Sequence, residues 1–105
     1  MLRFDETSNG AEPAFRTGEE FEIALAENRT TGFRWITDQQ GEPACLLLEE
    51  RSSAPSRPPG ASGMHLWHFR AEHPGSGTIC MRYQRPWEAE RLAARTFRMQ
   101  ARVAD

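Results

Sequence analysis

The chain has 105 residues, 13 of them basic and 15 acidic, for a formal charge of −2. That length suits one domain, residues 1–105 with a partly irregular stretch over 1–17, large enough to bury about two thirds of its unfolded surface. A near-balanced charge excludes a nucleic-acid binder or a membrane-surface protein held by a basic face, and leaves a protein or small molecule as the expected partner.

Leu2-Arg3-Phe4 is a candidate for a short extra strand, whereas Ala11 to Phe15 is too irregular to assign. After the turn signal Thr17-Gly18, the segment Glu20 to Ala26 alternates, with Phe21, Ile23 and Leu25 on one face and Glu20, Glu22 and Ala24 on the other, the period of a half-buried strand. Phe33 to Thr37 is the next strand, short and aromatic, and Trp35 is its natural core residue. Gly41-Glu42-Pro43 ends it. Cys45 to Glu50 is a Leu-rich run of ambiguous period, read as a strand, and Ser52 to Gly63 is too rich in Ser, Pro and Gly for regular structure. Met64 to Glu72 puts His65, Trp67, Phe69 and Ala71 on one face. The turn His73-Pro74-Gly75-Ser76-Gly77 leads into Thr78 to Gln84, where Ile79, Met81 and Tyr83 align. Trp87 to Ala94 is a polar loop, and from Arg95 to Val103 the apolar residues Phe97, Met99, Ala101 and Val103 alternate with polar ones.

Six to eight short strands, with turn signals every 8 to 12 residues or so, indicate an all-β chain, an antiparallel sandwich of immunoglobulin-like type. It lacks the Cys…Trp…Cys spacing of an antibody domain. Three breaks between strands carry residues that a core does not need: Asn28-Arg29-Thr30-Thr31-Gly32-Phe33, then Gly60-Ala61-Ser62-Gly63 before Met64, then Arg85-Pro86-Trp87. Alternate loops of a sandwich emerge at one end, so these three are expected side by side, and loops on a rigid sheet are where recognition sits. Gly32 is expected to take a positive φ, with Asn28 bracing the turn and Thr30 and Thr31 at its tip. Trp87, beside Pro86, is the residue type most enriched among binding hot spots, and Arg85 is placed to stack on it or to pair with a carboxylate.

An N-x-T-T-G-F turn, a G-x-S-G loop and an R-P-W loop, in that order and at these intervals, resemble the chagasin family of cysteine protease inhibitors over roughly Gly18 to Val103. The resemblance implies an immunoglobulin-like sandwich that blocks papain-like cysteine proteases reversibly. In such inhibitors the first loop plugs the active-site cleft over the catalytic cysteine while the other two grip its walls. Carried onto this chain, the implied contacts are Asn28 to Phe33, Gly60 to Met64 and Arg85 to Trp87. Two positions depart from the family pattern. Arg29 stands where the family usually has Pro, which would fix φ near about −65° and stiffen the loop, and Ser62 stands where the second loop often has Gly. The alternative is an immunoglobulin-like binding module that uses the same loops for a non-protease partner.

Other chemistry is poorly supported by the residues. His65 and His68 are three apart on a strand and so face opposite ways, which leaves no joint metal site, and no cofactor or catalytic residue is expected. Cys45 and Cys80 lack CxxC spacing and read as thiols of a reducing compartment, although one bridge between them is compatible with the count. The Asn28-Arg29-Thr30 triplet fits a glycan acceptor, but a glycan there would obstruct the expected site. No apolar run approaches the roughly 20 residues that span a bilayer, and Met1 to Asp5 opens no signal-peptide core, so a cytoplasmic monomer is expected unless the chain is trimmed from an exported precursor.

Overall fold

The computed structural model describes residues 1–28, 31–53, 63–88 and 93–105. Among these residues eight strands run in chain order: β1 (Leu2–Phe4), β2 (Ala14–Arg16), β3 (Glu20–Glu27), β4 (Arg34–Gln40), β5 (Cys45–Ser53), β6 (Gly63–Ala71), β7 (Gly75–Gln84) and β8 (Arg95–Ala104). They form two four-stranded sheets, ordered β1-β3-β6-β5 and β2-β8-β7-β4. The long pairings are antiparallel, while the two short N-terminal strands add in parallel, β1 along β3 and β2 along β8. One turn of 3-10 helix, Glu6–Ser8, lies between β1 and β2; Asp5 caps it by accepting the Thr7 amide at 2.9 Å.

Period-two alternation fills the space between the sheets. Phe21, Ile23 and Leu25 of β3 and Trp67 and Phe69 of β6 meet Ile79 and Met81 of β7 and Phe97 and Met99 of β8, all buried. At one end Phe15 stacks on Phe21 with centroids 4.2 Å apart, and Phe21 on Phe69 at 5.1 Å. Trp35 and Trp67 meet edge to face at 6.5 Å toward the other. Each buried indole N–H finds an acceptor: Trp35 Nε1 donates to the Ala26 carbonyl and Trp67 Nε1 to Thr37 Oγ1, both at 2.9 Å.

Three differences from the sequence reading have local causes. β2 occupies the stretch that looked irregular: it is three residues long with one buried side chain, Phe15, too short to show a period. Gly75, Ser76 and Gly77 were expected in a turn but begin β7, paired with Val103, Arg102 and Ala101. Glycine is used at Gly77 because a β-carbon there would stand 2.1 Å from the Gly41 carbonyl oxygen. The ambiguous period of β5 is a bulge. Leu47 pairs with Phe69 and Glu49 with His68, so Leu48 is the extra residue and strand parity reverses after it. Both cysteines are free thiols, which removes the option of a bridge.

Candidate functional site

Strand register brings the three loop junctions to one end of the sandwich. Glu27 at the end of β3 pairs with Gly63 at the start of β6, whose neighbour Met64 pairs with Ser53 at the end of β5. In the other sheet Arg34, the first residue of β4, pairs with Gln84, the last of β7, while Tyr83 pairs with Arg95, the first of β8. Of the residues expected at the site, Asn28, Thr31, Gly32, Phe33, Gly63, Met64, Arg85, Pro86 and Trp87 are described. Arg29, Thr30, Gly60, Ala61 and Ser62 lie outside the described residues. Gly63 and Met64 belong to β6 itself, Gly63 buried and Met64 half-buried.

The first turn is braced from within and from the neighbouring sheet. Thr31 donates its amide (3.4 Å) and its hydroxyl (2.8 Å) to the Asn28 carbonyl, and the Asn28 amide donates to Tyr83 Oη at 2.9 Å. Gly32 has φ +85°, as expected for this turn. The third loop is shaped from beneath. The buried Gln84 donates Nε2–H to the Glu88 carbonyl at 2.8 Å, and the Glu88 amide closes a turn onto the Arg85 carbonyl at 3.0 Å.

Arg85 joins the two loops. Its guanidinium carbon sits 4.5 Å from the centroid of the Phe33 ring, its Nε–H reaches the Thr31 carbonyl at 3.3 Å, and it pairs with Glu88 at 3.8 Å. The ring it covers is therefore Phe33 rather than Trp87, while the expected carboxylate partner is present. Beneath Arg85 the rings continue inward: Phe33 stacks on Tyr83 (5.2 Å), and Tyr83 lies against Trp35 (4.9 Å). The loop pair is thus seated on the aromatic core. Trp87 is 74 % exposed, the most exposed of the large aromatic residues described, and its ring edge passes close to Gly32. A β-carbon on Gly32 would stand 3.1 Å from Trp87 Cη2.

Under the junctions of the first two loops lies a polar cluster that the sequence reading missed. Glu27 is buried, 3 % exposed, and its Oε2 accepts the Trp35 amide and His65 Nδ1–H, both at 2.9 Å, while Oε1 accepts the Ser52 hydroxyl at 2.9 Å. On its far side His65 Nε2 meets Glu50 Oε2 at 2.7 Å. Burial alone pushes the Glu27 carboxyl up, but hydrogen bonds from Trp35, His65 and Ser52 and the charge of His65 outweigh it and hold the group below its ordinary value. The signal for Glu27 lay in parity, since it continues the inward series Phe21, Ile23, Leu25. Nothing signalled Glu50 and Ser52, which face inward only because of the bulge at Leu48. His68 bonds Glu20 at 2.7 Å on the outer face, so the two histidines do diverge.

Among the described residues, this end therefore presents a braced turn, an exposed indole and a basic side chain, an arrangement suited to insertion into a partner. A family model described as chagasin family peptidase inhibitor I42 matches residues 14–101. The chain belongs to the chagasin family. It is 32 % identical over 84 residues to chagasin of Trypanosoma cruzi, covering 75 % of this chain and 76 % of that one. To amoebiasin-1 of Entamoeba histolytica it is 30 % identical over 103 residues, 97 % of this chain and 99 % of the relative. The fold matches the crystal structure of the cysteine protease inhibitor EhICP2 from Entamoeba histolytica with a TM-score of 0.87, at 20 % identity, over 98 % of this chain and 95 % of that one. A chagasin-family chain is a cysteine protease inhibitor and not an enzyme.

Proposed function

We infer that residues 1–105 act as one inhibitor domain that blocks papain-like cysteine proteases reversibly by pressing its three-loop end into the active-site cleft. Asn28 to Phe33, with Thr30 and Thr31 at the tip, is the plug; Gly60 to Met64 forms one flank, and Arg85, Pro86 and Trp87 form the other, with Trp87 as the main anchor. The observation that carries this reading is the junction of Gly32, Phe33, Arg85 and Trp87, which couples plug and anchor into one preformed surface. A preformed surface loses less conformational entropy on binding. Because the tip offers small side chains and backbone rather than a reactive group, inhibition is non-covalent and the inhibitor is recovered intact.

Titration of papain and of a cathepsin-L-like protease tests this directly. Stoichiometric, reversible loss of activity at one inhibitor per enzyme is expected, with the inhibitor uncleaved on release. Full protease activity at micromolar inhibitor contradicts it. A binding module for a non-protease partner is not favoured, because the family match spans both the plug and the anchor.

A further inference from the structure

We propose that Glu27 is the positioning residue of the inhibitory end, one buried carboxylate that clamps both ends of the first loop and both ends of the second. The proposal rests on the reading of this end as the inhibitory surface. Glu27 is itself the last strand residue before Asn28, and Trp35, whose amide it accepts, is the second residue of the strand that follows the loop. Ser52 is the next-to-last residue of β5 and His65 the third of β6, so its other two donors bracket the second loop. Three hydrogen bonds of 2.9 Å thus converge on two oxygens from three other strands in both sheets.

The charged and titratable groups around it come from separate elements. β3 supplies Glu27, β6 His65 and β5 Glu50, while β4 supplies the Trp35 amide. A buried carboxylate with this number of partners is costly to leave half satisfied, which makes its geometry specific. The bulge at Leu48 has a role in this arrangement, because without the parity change Ser52 would point away from His65 and Glu27.

Glu27→Leu and Glu27→Gln separate the hydrogen bonds from the volume. Leucine fills similar space with no acceptor. Glutamine loses the charge, but its carbonyl still accepts from Trp35 and His65 while its amide donates to Ser52 Oγ. In free Glu27→Leu, amide exchange in residues 28–35 and 50–66 is expected to quicken on the order of 10-fold, with the β7 and β8 amides unchanged and Glu27→Gln close to wild type. Association with papain is expected to be slower than for the wild type while dissociation changes little, because only molecules that hold the competent loops bind productively. A folding defect alone would instead lower the active fraction and leave the association rate of the remainder unchanged, which overturns the proposal. So does wild-type exchange in both segments of Glu27→Leu, or uniform acceleration across all strands, whatever inhibition shows. Failure of the wild type to inhibit papain overturns the reading of the site and is seen separately, since the exchange data need no protease. If Glu27→Leu does not fold, Ser52→Ala, which removes the hydroxyl bonded to Glu27 at 2.9 Å and lying 3.4 Å from His65 Nδ1, is expected to quicken exchange over 50–66, and unchanged exchange there overturns the proposal.

Discussion

Trp87 leaves 74 % of its surface in solvent while its ring edge stands against Gly32, so the indole touches the first turn and stays open to a partner. Trp87→Ala is expected to weaken papain inhibition by about 2 kcal/mol, roughly 30-fold in Ki, with the melting temperature unchanged because so little of the side chain is buried. Unchanged inhibition, or an unfolded variant, would show that the indole is idle or structural. Gly32→Ala acts on the same contact from the other side. At φ +85° an alanine costs about 1–2 kcal/mol of strain, and its β-carbon crowds Trp87 at 3.1 Å. Both stability and inhibition are expected to fall, and the loss of inhibition is expected to be smaller in a Trp87→Ala background. Additive losses in that double-mutant cycle would separate the two residues.

At the scale of elements, the strands were legible where side chains alternate over six residues or more, as in β3, β6 and β8. They were illegible where pairing supplies what pattern cannot. β2 is held by parallel pairing to β8 around the single buried Phe15. In β5 the bulge mixes two parities, so Leu46 and Leu48 lie outside while Glu50 and Ser52 turn in toward His65. The loops themselves were visible through Gly32 and Trp87, whose types make sense only at a turn and an exposed tip. Their braces were not, because Tyr83 and Gln84 look like ordinary strand residues until the Asn28 amide and the Glu88 carbonyl are brought to them. At the end of the molecule away from the loops, β7 begins through a close backbone approach. Gly77→Ala puts a β-carbon 2.1 Å from the Gly41 oxygen and is expected to lower unfolding free energy by at least about 2 kcal/mol in urea titration. Inhibition at temperatures where the variant stays folded is expected to be unchanged, since this contact is remote from the tip.

For the whole molecule, two buried ionisable groups set opposite edges of the pH range of stability. Glu27 is held below its ordinary value of 4.5 in the folded state, so the unfolded chain takes up a proton first as pH falls. The stability it supplies above about pH 4.5 is then lost as pH drops through its lowered folded value. Cys45 runs the other way. Burial pushes its thiol from 9.0 to about 11, so the unfolded chain ionises first and stability is lost as pH rises from 9.0 toward about 11. Denaturant titrations across pH are expected to show both slopes, with Glu27→Gln flattening the acid limb and Cys45→Ala the alkaline one. A flat acid limb in the wild type would mean that the Glu27 cluster forms no tighter than in the unfolded chain. The fold can be extreme in neither direction without losing the group that seats its loops or the thiol that fills its core.

A crystal structure of the complex with papain tests the central claim most directly. Thr31 and Gly32 are expected in the cleft over the catalytic cysteine, with the Trp87 ring buried against one wall and the second loop against the other. A complex in which the sandwich meets the protease through another face, or in which the cleft stays open beside an ordered inhibitor, would contradict it.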